Sequence, residues 1–202
     1  MHPILYFWIA FLVLLAIFIF LDLKFCLLRD STTTLPKPYS YSRVQLAWWT
    51  LVILSSIIAI LLVRGEMPTL DSSTLILLGI TAGTTVAARM IDISDRTNAT
   101  VDTVHQDFPG ENFLLDILSD KNGVSIHRLQ SVIINIIFGV WFIAQVLHHL
   151  SGASPCPPGD ADCAKHPLDF IMPVISNNNL ILLGLSSGTY AVLKTTENKT
   201  GG

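Results

Sequence analysis

SRVQLAWWTLVIL, beginning at Ser42, and TLILLGITAGTTVAAR, ending at Arg89, are answered later in the chain by HRLQSVIINIIFG from His127 and NLILLGLSSGTYAVLK up to Lys194. Each copy opens on R-x-Q, with Arg43 and Gln45 in the first and Arg128 and Gln130 in the second. Each closes on LILLG-x-[TS]-[AS]-G-T and a basic residue. The arginines lie 85 residues apart and the closing glycines, Gly79 and Gly184, 105, so the second copy carries 20 extra residues between its two halves. Insertions in connecting loops cost little. The pattern is a duplicated helical hairpin, and it fixes the expected fold: an all-α membrane protein.

Composition says the same. Of 202 residues, 51% are hydrophobic and 13% charged, and mean hydropathy is +0.58. Roughly 25% charged residues is usual for a soluble domain. The apolar residues form long unbroken blocks, which excludes a soluble enzyme, a disordered tail and a small disulfide scaffold. The formal net charge of −3 lacks the basic field that nucleic-acid binding requires.

About 17–25 apolar residues carry a helix across the hydrocarbon core. Five stretches qualify: Ile4–Leu21, Val44–Val63, Ser72–Ala88, Leu129–Leu147 and Asn178–Leu193. The tryptophans Trp48 and Trp49 suit the headgroup boundary, and Pro173 with Asn177, Asn178 and Asn179 reads as the entry turn of the fifth span. Residues 1–30 read as an uncleaved signal anchor, since a basic leading segment and a small-residue cleavage site are both missing. The first hairpin occupies residues 38–92, a loop with an interfacial helix 93–126, and the second hairpin 127–197, with an extended outer loop over 148–175.

Lys24, Arg29, Lys37 and Arg43 crowd the first loop, Arg89, Arg96, Lys121 and Arg128 the third, and Lys194 and Lys199 the tail. The other side holds Arg64 and Lys165 alone. The positive-inside rule then places the N-terminus outside and the C-terminus inside. Cys156 and Cys163 fall in the outer loop, where a disulfide persists, and Cys26 on the reducing side. Both hairpins begin and end on the same side, so they are parallel repeats related by an axis along the membrane normal.

The motifs Ser40 to Trp49, Gly79 to Thr84, Leu118 to Gln130 and Gly184 to Tyr190 resemble those of an uncharacterised group of bacterial multi-span membrane proteins. The likeness runs over about residues 38–194 and implies the bacterial cytoplasmic membrane. It implies no activity.

Gly184-Leu185-Ser186-Ser187-Gly188 fits the G-x-S-x-G of serine hydrolases, but that chemistry needs a strand-to-helix elbow and a histidine base. The first copy, Gly79 to Gly83, lacks the serine. Small residues four apart let helix backbones approach, so the bundle is expected to close through Gly79 and Gly83 against Gly184 and Gly188, with further copies around it. The hydroxyls of Thr81, Thr84, Thr85, Ser186, Ser187 and Thr189 have two readings. They bond the preceding turn or a neighbouring helix, or they border a polar path. Charge-free spans argue against proton relays and voltage sensing. Asn135 and Gln145 are the polar side chains singled out in the fourth span. Arg43 and Arg128, each with its glutamine, suit bonding to carbonyls at a partner helix's end.

Glu111–Asp120 (ENFLLDILSD) gathers Phe113, Leu114, Leu115, Ile117 and Leu118 on one face, a short interfacial helix. The DKNG run that follows misses the carboxylate positions of a calcium loop and is a turn. Histidines at the span ends form no haem pair, and no known zinc spacing occurs. No metal, cofactor or enzymatic activity is expected. Two functions remain: a homo-oligomeric channel passing small ions or solutes, and a non-conducting scaffold or sensor that engages a cytoplasmic protein through its inner loop.

Overall fold

The computed structural model describes residues 3–30, 32, 35–97, 109–110, 112–120, 123–152 and 171–197, without the side chains of Arg96, Thr196 and Glu197. Long helices dominate: α1 (Pro3–Phe25), α2 (Tyr41–Arg64), α3 (Ser72–Thr97), α5 (Ile126–Leu150) and α6 (Asn177–Glu197), with a short α4 (Phe113–Leu118) between α3 and α5. Four of them, α1, α2, α3 as far as Asp95, and α5, are long and apolar enough to cross a membrane.

Each of the five long helices extends beyond the span read from the sequence, because helix continues after the apolar stretch ends, whereas α4 is shorter than the expected Glu111–Asp120. The extension of α3 matters most. The expected boundary between hairpin and loop at residue 93 falls inside α3, which runs to Thr97. Asp92 and Asp95 therefore sit on a helix and not in a loop. At the start of α6, Ser176 supplies the carbonyl that accepts from Leu180 N at 3.0 Å. Asn177, Asn178 and Asn179 thus form the first helical turn of α6, beyond the entry expected for them.

Helix α2 packs against α1, α3 and α5, and α6 packs against both α3 and α5. The result is a closed ring of α2, α3, α6 and α5, with α1 laid on the outside. Only Phe7, Ala10 and Asp22 of α1 are buried, and its remaining face presents Leu12, Val13, Ile17 and Phe20 outward. Trp49, Val52, Ile60, Leu77, Phe142 and Leu183 lie at the centre of the core. At the end where α5 finishes and α6 begins, Ile171, Met172 and Ile175 bury among these residues, and Ile175 N donates to Ser73 Oγ at 3.0 Å. Cys156 and Cys163 lie outside the described residues.

The opposite end carries both R-x-Q pairs and a small polar cap. Asp22 accepts from Leu28 N at 2.9 Å and pairs with Arg29 at 3.4 Å. The Arg29 guanidinium lies 4.7 Å from the centre of the Tyr39 ring. Asn112 caps α4 by accepting from Leu115 N at 2.9 Å. Tyr39 N donates to Asp116 Oδ2 at 3.1 Å, which ties α4 to the first loop. The expected turn after α4 is a small hairpin, with Ser119 opposite Val124 and Asp120 opposite Gly123.

Candidate functional site

The polar groups that meet inside the ring converge on Asn135 of α5. Trp49 donates its indole N–H to Asn135 Oδ1 at 2.7 Å, and Gln45 Nε2 donates to the same oxygen at 3.3 Å. Asn135 Nδ2 donates back to Ser131 O at 2.8 Å. Gln45 Nε2 also reaches Ser187 Oγ on α6 at 3.1 Å. The network therefore joins α2, α5 and α6 through side chains buried in all three. An indole can only donate, so Asn135 must present its oxygen to Trp49, and Gln45 must offer that oxygen its NH₂. Gln45 Oε1 is then left over: it is buried and has no hydrogen-bond partner.

The tryptophans expected at the headgroup boundary turn their indoles into the bundle. Trp49 is fully buried, and Trp48 donates to Asn135 O at 3.1 Å with its ring against Gly139. A Cβ added at Gly139 would come within 2.5 Å of that ring. Both indoles turn inward because acceptors wait for them there. The sequence signal that could have found this was available: an amide in an apolar span, with a glycine one turn later.

Gly139 is where a small residue is required; the repeated glycines are not. Gly79, Gly83 and Gly188 have nothing within 4 Å of an added Cβ, and Gly184 meets only Ile80 Cδ1 at 3.7 Å. The expected closure of Gly79 and Gly83 against Gly184 and Gly188 therefore does not occur within the chain. Large side chains set the spacing of α3 and α6, and the glycine faces of both helices turn outward.

The hydroxyls spend their bonds close to home. Thr84 donates to Ile80 O at 2.7 Å and Thr81 to Leu78 O at 3.0 Å. Thr85 reaches Ser42 O at 3.1 Å as well as Thr81 O at 2.9 Å. Ser186 pairs with Ser131. Thr81, Thr84 and Ser187 are buried, and Thr189 is exposed on the glycine face of α6.

The two R-x-Q pairs are used oppositely. In the first, Gln45 is buried and Arg43 Nη1 donates to Arg29 O at 2.7 Å. In the second, Arg128 is buried, donates to Ser119 O at 2.6 Å and lies over Tyr190, while Gln130 is exposed. The carbonyls the two arginines reach, Arg29 O and Ser119 O, belong to connecting segments.

An ion pair escaped the sequence altogether. Lys194 Nζ of α6 lies 2.9 Å from Asp92 Oδ1 of α3, with both side chains nearly inaccessible, and Asp95 is buried one turn further on. The expectation of charge-free spans holds for α3 only as far as Ala88. Among the described residues no group of three His, Cys, Asp or Glu is placed to hold a metal ion.

Comparison of the chain with family models, curated proteins and solved structures finds no match. The functional reading therefore rests on this geometry.

Proposed function

We propose that the protein is a non-conducting scaffold or sensor module of the bacterial cytoplasmic membrane. In this reading α1, α2, α3, α5 and α6 all cross, with the N-terminus outside and the C-terminus inside. The two hairpins are parallel repeats, copies associate through the outward glycine faces, and the capped R-x-Q end engages a cytoplasmic protein.

One observation carries the choice over a channel. Of the hydroxyls that would line a path, Thr81, Thr84 and Thr85 are committed to backbone carbonyls, Ser186 to Ser131 and Ser187 to Gln45. A conducting constriction needs such groups turned toward water. The apolar residues Ile171, Met172 and Ile175 buried at the far end support the same choice. The ordered cap built from Arg29, Tyr39 and Asp116 at the other end offers a partner a fixed surface.

The channel reading keeps one support. Thr189 is exposed beside Gly188, so a path would have to run between copies. Purified oligomer in a planar bilayer separates the two readings. The module predicts no current above the empty bilayer at any voltage, whereas a current reduced by Thr189→Val, with the oligomer intact, overturns it. The partner is sought with the membrane-embedded protein as bait, and Asp116→Ala, which unties α4 from Tyr39, is expected to weaken its capture.

A further inference from the structure

A cleft of about 310 Å³ opens where α1 leads into the first loop and packs against α2. Phe18 lines it from α1, Leu27 from the loop, and Leu46, Ala47 and Thr50 from α2. Arg43, at the end nearest the loop, is its one charged lining residue. Nη1 of Arg43 donates to Arg29 O at 2.7 Å and to Leu27 O at 3.4 Å, so the loop holds the guanidinium in place. Both carbonyls are neutral and leave the group its charge. No carboxylate lines the cleft. Asp22, the buried acid of this corner, is committed to Leu28 N and Arg29.

We infer that this cleft binds a net-anionic membrane phospholipid, with its phosphodiester on Arg43 and the upper part of one acyl chain between α1 and α2. Three observations select that ligand. Polarity is graded along the cleft. Arg43 stands two turns before Thr50 on α2, about 10 Å along the axis, and the Thr50 hydroxyl is committed to Leu46 O at 2.8 Å. Beyond Arg43 the wall is therefore apolar to a ligand, over a depth that fits within one leaflet of a hydrocarbon core about 30 Å thick. Charge is the second observation. A guanidinium matches the paired oxygens of a phosphate, and without a lining carboxylate the cleft gives nothing to the ammonium of a zwitterionic head. The third is size. At roughly 30 Å³ per group, the volume of a water in the liquid, the cleft takes about ten groups, less than one full chain. Leu54, one turn beyond Thr50, is exposed, so the chain runs on along α2 into the bilayer.

This inference goes beyond the module reading and needs only that α1 and α2 cross the membrane, so either idea can fail alone. Its test is native mass spectrometry of the full chain in detergent, titrated with phosphatidylglycerol or with phosphatidylcholine of identical acyl chains. The wild type should retain one phosphatidylglycerol about fivefold more tightly than phosphatidylcholine, the contribution of one cation beside an anionic lipid. Arg43→Gln should bring the two lipids to equal affinity. Arg64→Gln makes the same change of charge at the far end of α2 and should leave the preference intact. Ala47→Phe, which fills the cleft and keeps Arg43, should abolish the preference as well. Melting curves establish that each variant is folded. Equal affinity of the two lipids for the wild type overturns the proposal. So does a preference that Arg64→Gln lowers as far as Arg43→Gln, or one that survives in folded Ala47→Phe.

Discussion

Asn135 is a single amide, yet two buried polar side chains of α2, Trp49 and Gln45, both donate to its oxygen. Replacing it with leucine strips the Trp49 N–H of its acceptor in a buried site, a loss of about 1–3 kcal/mol. Thermal unfolding in detergent should show that loss. The double variant Asn135→Leu with Trp49→Phe should recover much of it, since removing both partners leaves no orphan. A cycle in which the two changes simply add would mean the bond contributes nothing. Gly139 makes a second prediction at the same scale. Gly139→Ala drives a methyl group into the Trp48 ring, and overpacking of this kind costs about 1–3 kcal/mol. Gly79→Ala meets nothing and should be neutral or gain up to about 1 kcal/mol from helix propensity. The sequence made Asn135 visible as a polar group in an apolar span. It could not show that Trp48 and Trp49 would turn toward it, because amphipathic tryptophans serve a headgroup boundary and a buried acceptor equally well.

Helices α3 and α6 show why element ends were harder to read than element middles. The apolar stretch of α3 ends near Ala88, and the charges beyond it look like loop. They continue as helix because Lys194, a hundred residues further on, buries against Asp92. No local pattern carries that partnership. Removing one member of a buried pair costs about 3–5 kcal/mol, whereas an apolar replacement of both is often tolerated. Lys194→Met should therefore destabilise strongly, and Asp92→Leu added to it should restore most of the melting temperature. Equal melting of the single and double variants would show that the charges act apart. At the other end of α3, Asp71 is the cap: its Oδ2 accepts from Ser73 N at 2.7 Å. Hydrogen bonds from the Ser73 hydroxyl, then from backbone amides, hold its carboxyl below the ordinary carboxylate range against a smaller opposing effect of burial. A lowered folded pKa means that the cap's stabilisation is complete above the unfolded value and is lost as pH falls through the folded one. Asp71→Ala should thus cost about 0.5–2 kcal/mol at neutral pH, and the gap in melting temperature between it and the wild type should narrow in acid.

For the whole molecule, the long apolar helices were legible, because twenty-residue apolar blocks leave few alternatives, and the repeat marked corresponding positions along them. It did not reveal how the copies differ. Arg43 and Arg128 occupy equivalent positions in the sequence, but one donates to Arg29 O of the first loop and the other is buried and donates to Ser119 O just after α4. Nor could it say which way the glycines face. A G-x-x-x-G pattern states that a backbone can be approached, not by what, and among the described residues nothing lies within 4 Å of a Cβ added at Gly79, Gly83 or Gly188. The outward faces therefore yield a prediction with two separable parts. Gly83→Leu and Gly188→Leu add bulk in open space, so the melting temperature of the dispersed monomer should stay within about 0.5 kcal/mol equivalent of the wild type, as for surface changes generally. If copies meet through these faces, the same substitutions should lower the native mass to that of a single chain of 22.2 kDa. A drop in mass without a drop in stability identifies the faces as contacts between molecules. Retained mass with unchanged stability shows that they face only lipid, and a loss of stability in the monomer contradicts the outward orientation itself.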